Sequence, residues 1–134
     1  MSHLTFKRRA ASMAAAVACT LGFAATQASA VPVLVTVTVK NFSPATSVAV
    51  APLHFGFNNG TFDAFNLGGV ANAAIISVAE GGSGSAWQPA FALADPTATR
   101  GTVGGLRLAG TTASLTVMVD ATLNPFFTDR KSVV

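Results

Sequence analysis

The chain has no tyrosine, one tryptophan and one cysteine, and only 10% of its residues are charged. The cysteine is Cys19, and no acidic residue precedes Asp63. A domain that starts near Val31 therefore has no thiol. Disulfides, thiol catalysis and cysteine–metal sites are excluded from it. Histidine is almost as scarce, because His54 is the only one beyond residue 30. No G-x-S-x-G elbow and no metal-spaced histidine accompanies it. A lone histidine in an apolar stretch is read as a packed or surface residue, and the chain is read as a non-enzyme.

The start of the chain has a different composition. Lys7, Arg8 and Arg9 precede an uncharged, alanine-rich stretch with Met13, Val17, Leu21 and Phe23. It ends in Ala28-Ser29-Ala30, ahead of Val31-Pro32. A basic segment, an apolar segment and an A-x-A site in this order specify a cleavable secretory signal. The cut is expected between Ala30 and Val31. The apolar run is shorter, and poorer in large side chains, than the ~20 residues a spanning helix needs. An exported product is expected, whether secreted, periplasmic or at the cell surface, with no membrane span in the mature chain. Cys19 follows Val17-Ala18, a faint lipidation pattern weakened by Ala16, where a larger aliphatic residue is preferred.

Removing this segment changes the charge. The sequence pI is about 9.8, but three of the eight basic residues lie at positions 7–9. Lys40, Arg100, Arg107, Arg130 and Lys131 then face Asp63, Glu80, Asp95, Asp120 and Asp129, and the mature net charge is zero. That balance excludes the basic stripe of a nucleic-acid binder. About a hundred residues can bury enough apolar surface for one domain.

Residues 33–40 alternate strictly. Val33, Val35, Val37 and Val39 share one face, and Leu34, Thr36, Thr38 and Lys40 share the other. This predicts a half-buried strand, as does the same period at 112–120. Residues 53–57 read as a further strand, 101–108 as a short one, and 72–80 as one short helix capped by Asn72. Residues 62–69 read as a packed aromatic loop, and 87–93 fits no single period. Short strands separated by turns favour an all-β, antiparallel sandwich.

Asp63, Glu80, Asp95 and Asp120 are scattered, with no D-x-D run to assemble the oxygens calcium needs. Isolated solvated carboxylates are expected, and no metal ligand is assigned. Gly81-Gly82-Ser83-Gly84 lacks the Lys-Ser/Thr of a phosphate loop and reads as a flexible linker.

The block Leu53-His54-Phe55-Gly56-Phe57-Asn58-Asn59-Gly60-Thr61-Phe62-Asp63 resembles the spondin amino-terminal domain. So do Gly68-Gly69-Val70-Ala71-Asn72 and Val78-Ala79-Glu80-Gly81-Gly82, the opening strand and turn at 35–44, and the late segment at 115–127. Gly56, Gly60, Asp63, Gly68, Gly69 and Glu80 are the positions matching the family pattern. They are expected to act in turns and packing. The resemblance implies a sandwich similar to calcium- and lipid-binding domains, working outside the cell in adhesion toward a cell-surface or extracellular ligand. The family's calcium acids fall in P-S-x-D and D-A-G-T-D-like segments beyond Phe127. No cofactor is therefore expected in this chain, and calcium is expected only in a complete form. The partial domain is expected to span 31–128, incomplete at its C-terminus. Residues 129–134 resemble a translated sequencing adapter and are expected to be a non-native tail. The competing expectation is an unrelated secreted structural or carbohydrate-binding sandwich.

Overall fold

The alternation at 33–40 becomes strand β1, Val33–Lys40, in a computed structural model that describes residues 31–133. The expected signal segment, with Ala30 and Cys19, lies outside the described residues. The other elements are β2 (Leu53–Asn58), α1 (Ala73–Gly81), α2 (Trp87–Ala94), β3 (Thr99–Val103), β4 (Thr112–Val119) and β5 (Phe126–Arg130). β1 pairs with β4 in one antiparallel sheet, and β3-β2-β5 form a second. The fold is mainly β and sandwich-like, with two short helices rather than one.

The β1–β4 register sets Val35 against Val117 and Val37 against Leu115, so the apolar faces of both strands coincide. On the other face Thr36 and Thr116 hydroxyls meet at 2.8 Å, as do those of Thr38 and Ser114. Such polar pairs suit a solvent-facing side. Val37 and Val39 pack onto Leu53, Phe55 and Val103 of the second sheet, forming the interlayer core.

β2 is central and nearly all of it is buried. Leu53, Phe55 and Phe57 face the interlayer core. The opposite face carries His54, Gly56 and Asn58, and the helices cover it. A second core of Ala74, Val78, Trp87 and Phe91 lies there. Period-two geometry thus places one strand between two cores.

α1 begins where Asn72 Oδ1 accepts the Ile75 N–H at 3.0 Å. It ends at Gly82, whose φ of 60° lets its own N–H reach Val78 O and that of Ser83 reach Ser77 O. The ambiguous stretch at 87–93 forms α2. Pro89 stands in the first turn, where a missing N–H removes no helical bond. Trp87 and Phe91, four residues apart, are the buried pair of that helix.

One boundary differs from the sequence reading, and one expected boundary falls within an element. β3 ends at Val103, and Leu106 is exposed. The expected domain end at Thr128 falls inside β5, where Asp129 and Arg130 continue the ladder opposite Phe55 and His54. Ser132 O then accepts the Ala51 N–H at 3.0 Å, and Val133 bridges Val50.

Candidate functional site

Sequence reasoning pointed first at His54, and the structure commits that ring internally. It is 5% exposed. Nε2 lies 3.0 Å from Gly82 O, and Nδ1 lies 2.9 Å from the Thr102 hydroxyl. A carbonyl only accepts, so Nε2 carries a proton, and in the neutral ring Nδ1 accepts from Thr102. A Cβ on Gly84 would overlap the ring at Nδ1 and lie 2.6 Å from Cε1. The glycine-rich loop is therefore a cover pressed onto His54 rather than a free linker. It ties α1 to β2.

Three carboxylates serve as turn acceptors. Asp63 accepts the Phe65 N–H at 3.2 Å, and Asp120 accepts those of Thr122 and Leu123 at 3.0 Å. The third corrects the expectation of scattered, solvated acids, because Asp95 is only 1% exposed. It receives the Asn59 N–H at 2.8 Å, the Thr97 N–H at 3.0 Å and the Thr97 hydroxyl at 2.6 Å. Asn124 joins through Thr97 O at 2.9 Å. Asp95 thus ties the turn after β2 to the end of α2, and Asn124 ties in the approach to β5.

Burial pushes the Asp95 carboxyl up. The hydrogen bonds from Thr97, Asn59 and Ala98 outweigh it and hold the group below its ordinary 3.8. A carboxyl lowered in this way contributes stability that is complete above the ordinary value. That contribution is lost as the pH falls through the lower, folded value. Asp95→Asn is expected to flatten the acid limb of stability against pH. Asp95→Ala leaves buried donors unmet and should cost about 2 kcal/mol at neutral pH. Denaturant midpoints measured at neutral pH and below the carboxylate range check both, and an unchanged acid limb in Asp95→Asn would remove this role.

The family-pattern positions scatter over several elements. Gly56 lies inside β2, where an added Cβ would overlap the Phe91 ring. Gly60 has φ 90° and gives its N–H to Asn58 Oδ1 at 2.8 Å. Gly68 has φ 79°, and Gly69 closes a turn onto Asn66 O. Asp63 is exposed at a turn, and Glu80 is exposed in the last turn of α1. No group of three or more histidine, cysteine or acidic side chains gathers as a metal site among the described residues.

No sequence motif marked the feature that stands out as a recess. A cavity of about 450 Å³ opens between β1 and β5. Val37 and Val39 line it from one sheet, and Leu53 and Phe127 from the other. Lys40, Asp129 and Lys131 stand around it, with Lys40 Nζ 4.8 Å from the centre of the Phe42 ring. Phe127 lies against Phe57 with ring centres 5.1 Å apart, and is still 47% exposed. The sandwich is closed on its other side, where the Thr99 hydroxyl donates to Met118 O at 3.2 Å and joins β3 to β4.

No protein family, curated protein or solved structure matches this chain. Asn41, His54, Asn58, Asp95 and Asn124, all buried, are occupied in holding turns and loops. The chain's largest exposed features are apolar. Leu67 and Val70 are 96% and 100% exposed on the loop before α1. No helix among the described residues is long and apolar enough to cross a membrane.

Proposed function

We infer that the exported chain is a non-enzymatic interaction module, spondin-like in pattern, acting in adhesion outside the cytoplasm. The observation that carries this reading is the exposure of Leu67, in the glycine turn closed by Asn66 and Gly69, and of Val70 just after it. With Phe65, also exposed, they put three large apolar side chains within six residues of one loop, and clustered exposed apolar groups, unlike single ones, mark contact surfaces. The internal use of His54, Asp95, Asn58 and Asn124 supports the same reading, because it leaves these groups to structure. The order of strand, turn and loop matching the spondin pattern supports an extracellular setting. This reading assigns the calcium that the pattern implies to acidic segments other than those described here.

Beads carrying the exported chain are expected to adhere to cells of the species that makes it. Leu67→Ser combined with Val70→Ser should lower adhesion several-fold while leaving the melting temperature within a degree or two. Adhesion that is absent, or indifferent to both substitutions, would remove the reading. Calorimetric titration of this chain with calcium should show no saturable heat, and a saturable one would contradict the assignment of calcium to other residues.

A further inference from the structure

The two sheets have unequal widths. Two strands, β4 and β1, face three, β3-β2-β5. β4 is joined to β3 at the closed side. β1 packs over β2 through Val37, Val39, Leu53 and Phe55. Among the described residues β5 therefore extends past β1 with no strand above it, and the recess fills that step. One more strand beside β1 would lie over Phe127 and complete the upper layer.

The edge it would pair with is unguarded. Sheet edges are normally blunted by proline, bulges or charges placed within the strand. β1 runs eight residues with a continuous one-to-one register on its β4 side. It contains no proline, and its only charge is Lys40 at the end. Among the described residues no strand pairs with its other edge, along which every second backbone N–H and C=O points outward.

A second copy does not suit this slot. Pairing β1 with β1 of another molecule would bring that molecule's own three-stranded sheet beneath the new strand. The β5 strand already occupies that space. The step admits one strand without a layer behind it. Its surroundings also specify charge: Lys40 and Lys131 against Asp129 leave one positive charge in excess.

We propose that the step between β1 and β5 is a strand-addition site for an extended segment of another polypeptide, apolar at alternate positions and acidic at one end. Main-chain bonds to β1 would give it register. Its inward side chains would rest on Val37, Val39 and Phe127, and its carboxylates would meet Lys40 and Lys131. Recognition of this kind takes affinity from the backbone and selectivity from alternate pockets. The proposal rests on the interaction-module reading and gives that module a partner class. The two fail separately, because the adhesion test depends on Leu67 and Val70, away from the step.

The probe is a soluble octapeptide alternating valine and threonine and ending in two aspartates. It is compared with a lysine-ended version and a proline-interrupted one. Amide exchange on the exported chain is followed as each is added. The acidic peptide should slow the fast-exchanging amides of β1 and bind about fivefold tighter than the lysine-ended one. Lys40→Glu with Lys131→Glu, both exposed, should reverse that preference without changing the melting temperature. The proline-interrupted peptide should not bind. Three results would overturn the proposal. The first is that no peptide slows β1. The second is slowing that needs only higher protein concentration, which would give the slot to a second copy. The third is that all β1 amides are already slow in the free monomer.

Discussion

Gly56→Ala is expected to destabilise the domain by about 3 kcal/mol, the upper end of the usual overpacking range. The added methyl would overlap three atoms of the Phe91 ring. A flexible side chain could swing away, but this ring cannot. Phe62 stacks on it with centres 4.0 Å apart, and Trp87 meets it edge-on at 4.9 Å. Phe91 is fully buried, so any shift pushes α2 off β2. The effect should depend on the partner. Phe91→Leu alone leaves a cavity, but in the Gly56→Ala background it makes room. The double variant should be more stable than the sum of the single losses implies, by at least about 1 kcal/mol. Denaturant midpoints of the four proteins measure this coupling. Strict additivity would mean that the glycine is needed for some reason other than seating the ring.

Trp87 should give the other large effect, in a form that depends on the replacement. It is fully buried at the start of α2, and Phe62 packs edge-on against it at 5.4 Å. Trp87→Ala removes the centre of the helix-side core and should cost about 4 kcal/mol. In a domain of this size that corresponds to roughly 20 °C in melting temperature. The indole Nε1 is buried without a hydrogen-bond partner. An unmet buried N–H carries a desolvation penalty. Trp87→Phe loses some packing but also removes that penalty, so it should cost only about 1 kcal/mol. Thermal unfolding of both variants checks the contrast. Equal losses would mean that the Nε1 proton has a partner in solution.

How much of this was legible depended on how local the cause was. β1 and β4 were readable because one face of each meets the core and the other meets water, which gives a period of two. The helix at α1 was readable because Asn72 and Gly82 mark its ends. β2 was readable as a strand, but its role was not. Both of its faces are buried, so Gly56 looks like an interruption when it is the seat of a ring supplied from residue 91. Pro89 and the small residues around it hid α2, since only the Trp87–Phe91 spacing signals its face. β5 was hidden by Asn124-Pro125 before it and by the polar residues at its end. Asp95 offered no local signal at all. Its burial comes from Asn59, Thr97 and Asn124, which the chain brings together only on folding. The same holds for the step beside β1, which exists because two sheets differ in width.

The open edge of β1 would make this sandwich into a binding module. Amide exchange along β1 in the free, monomeric chain is the most direct test. Every second amide between Val33 and Lys40 should be slow, held by β4, and those between should exchange as freely as a loop. Uniform protection along the whole strand would contradict the account.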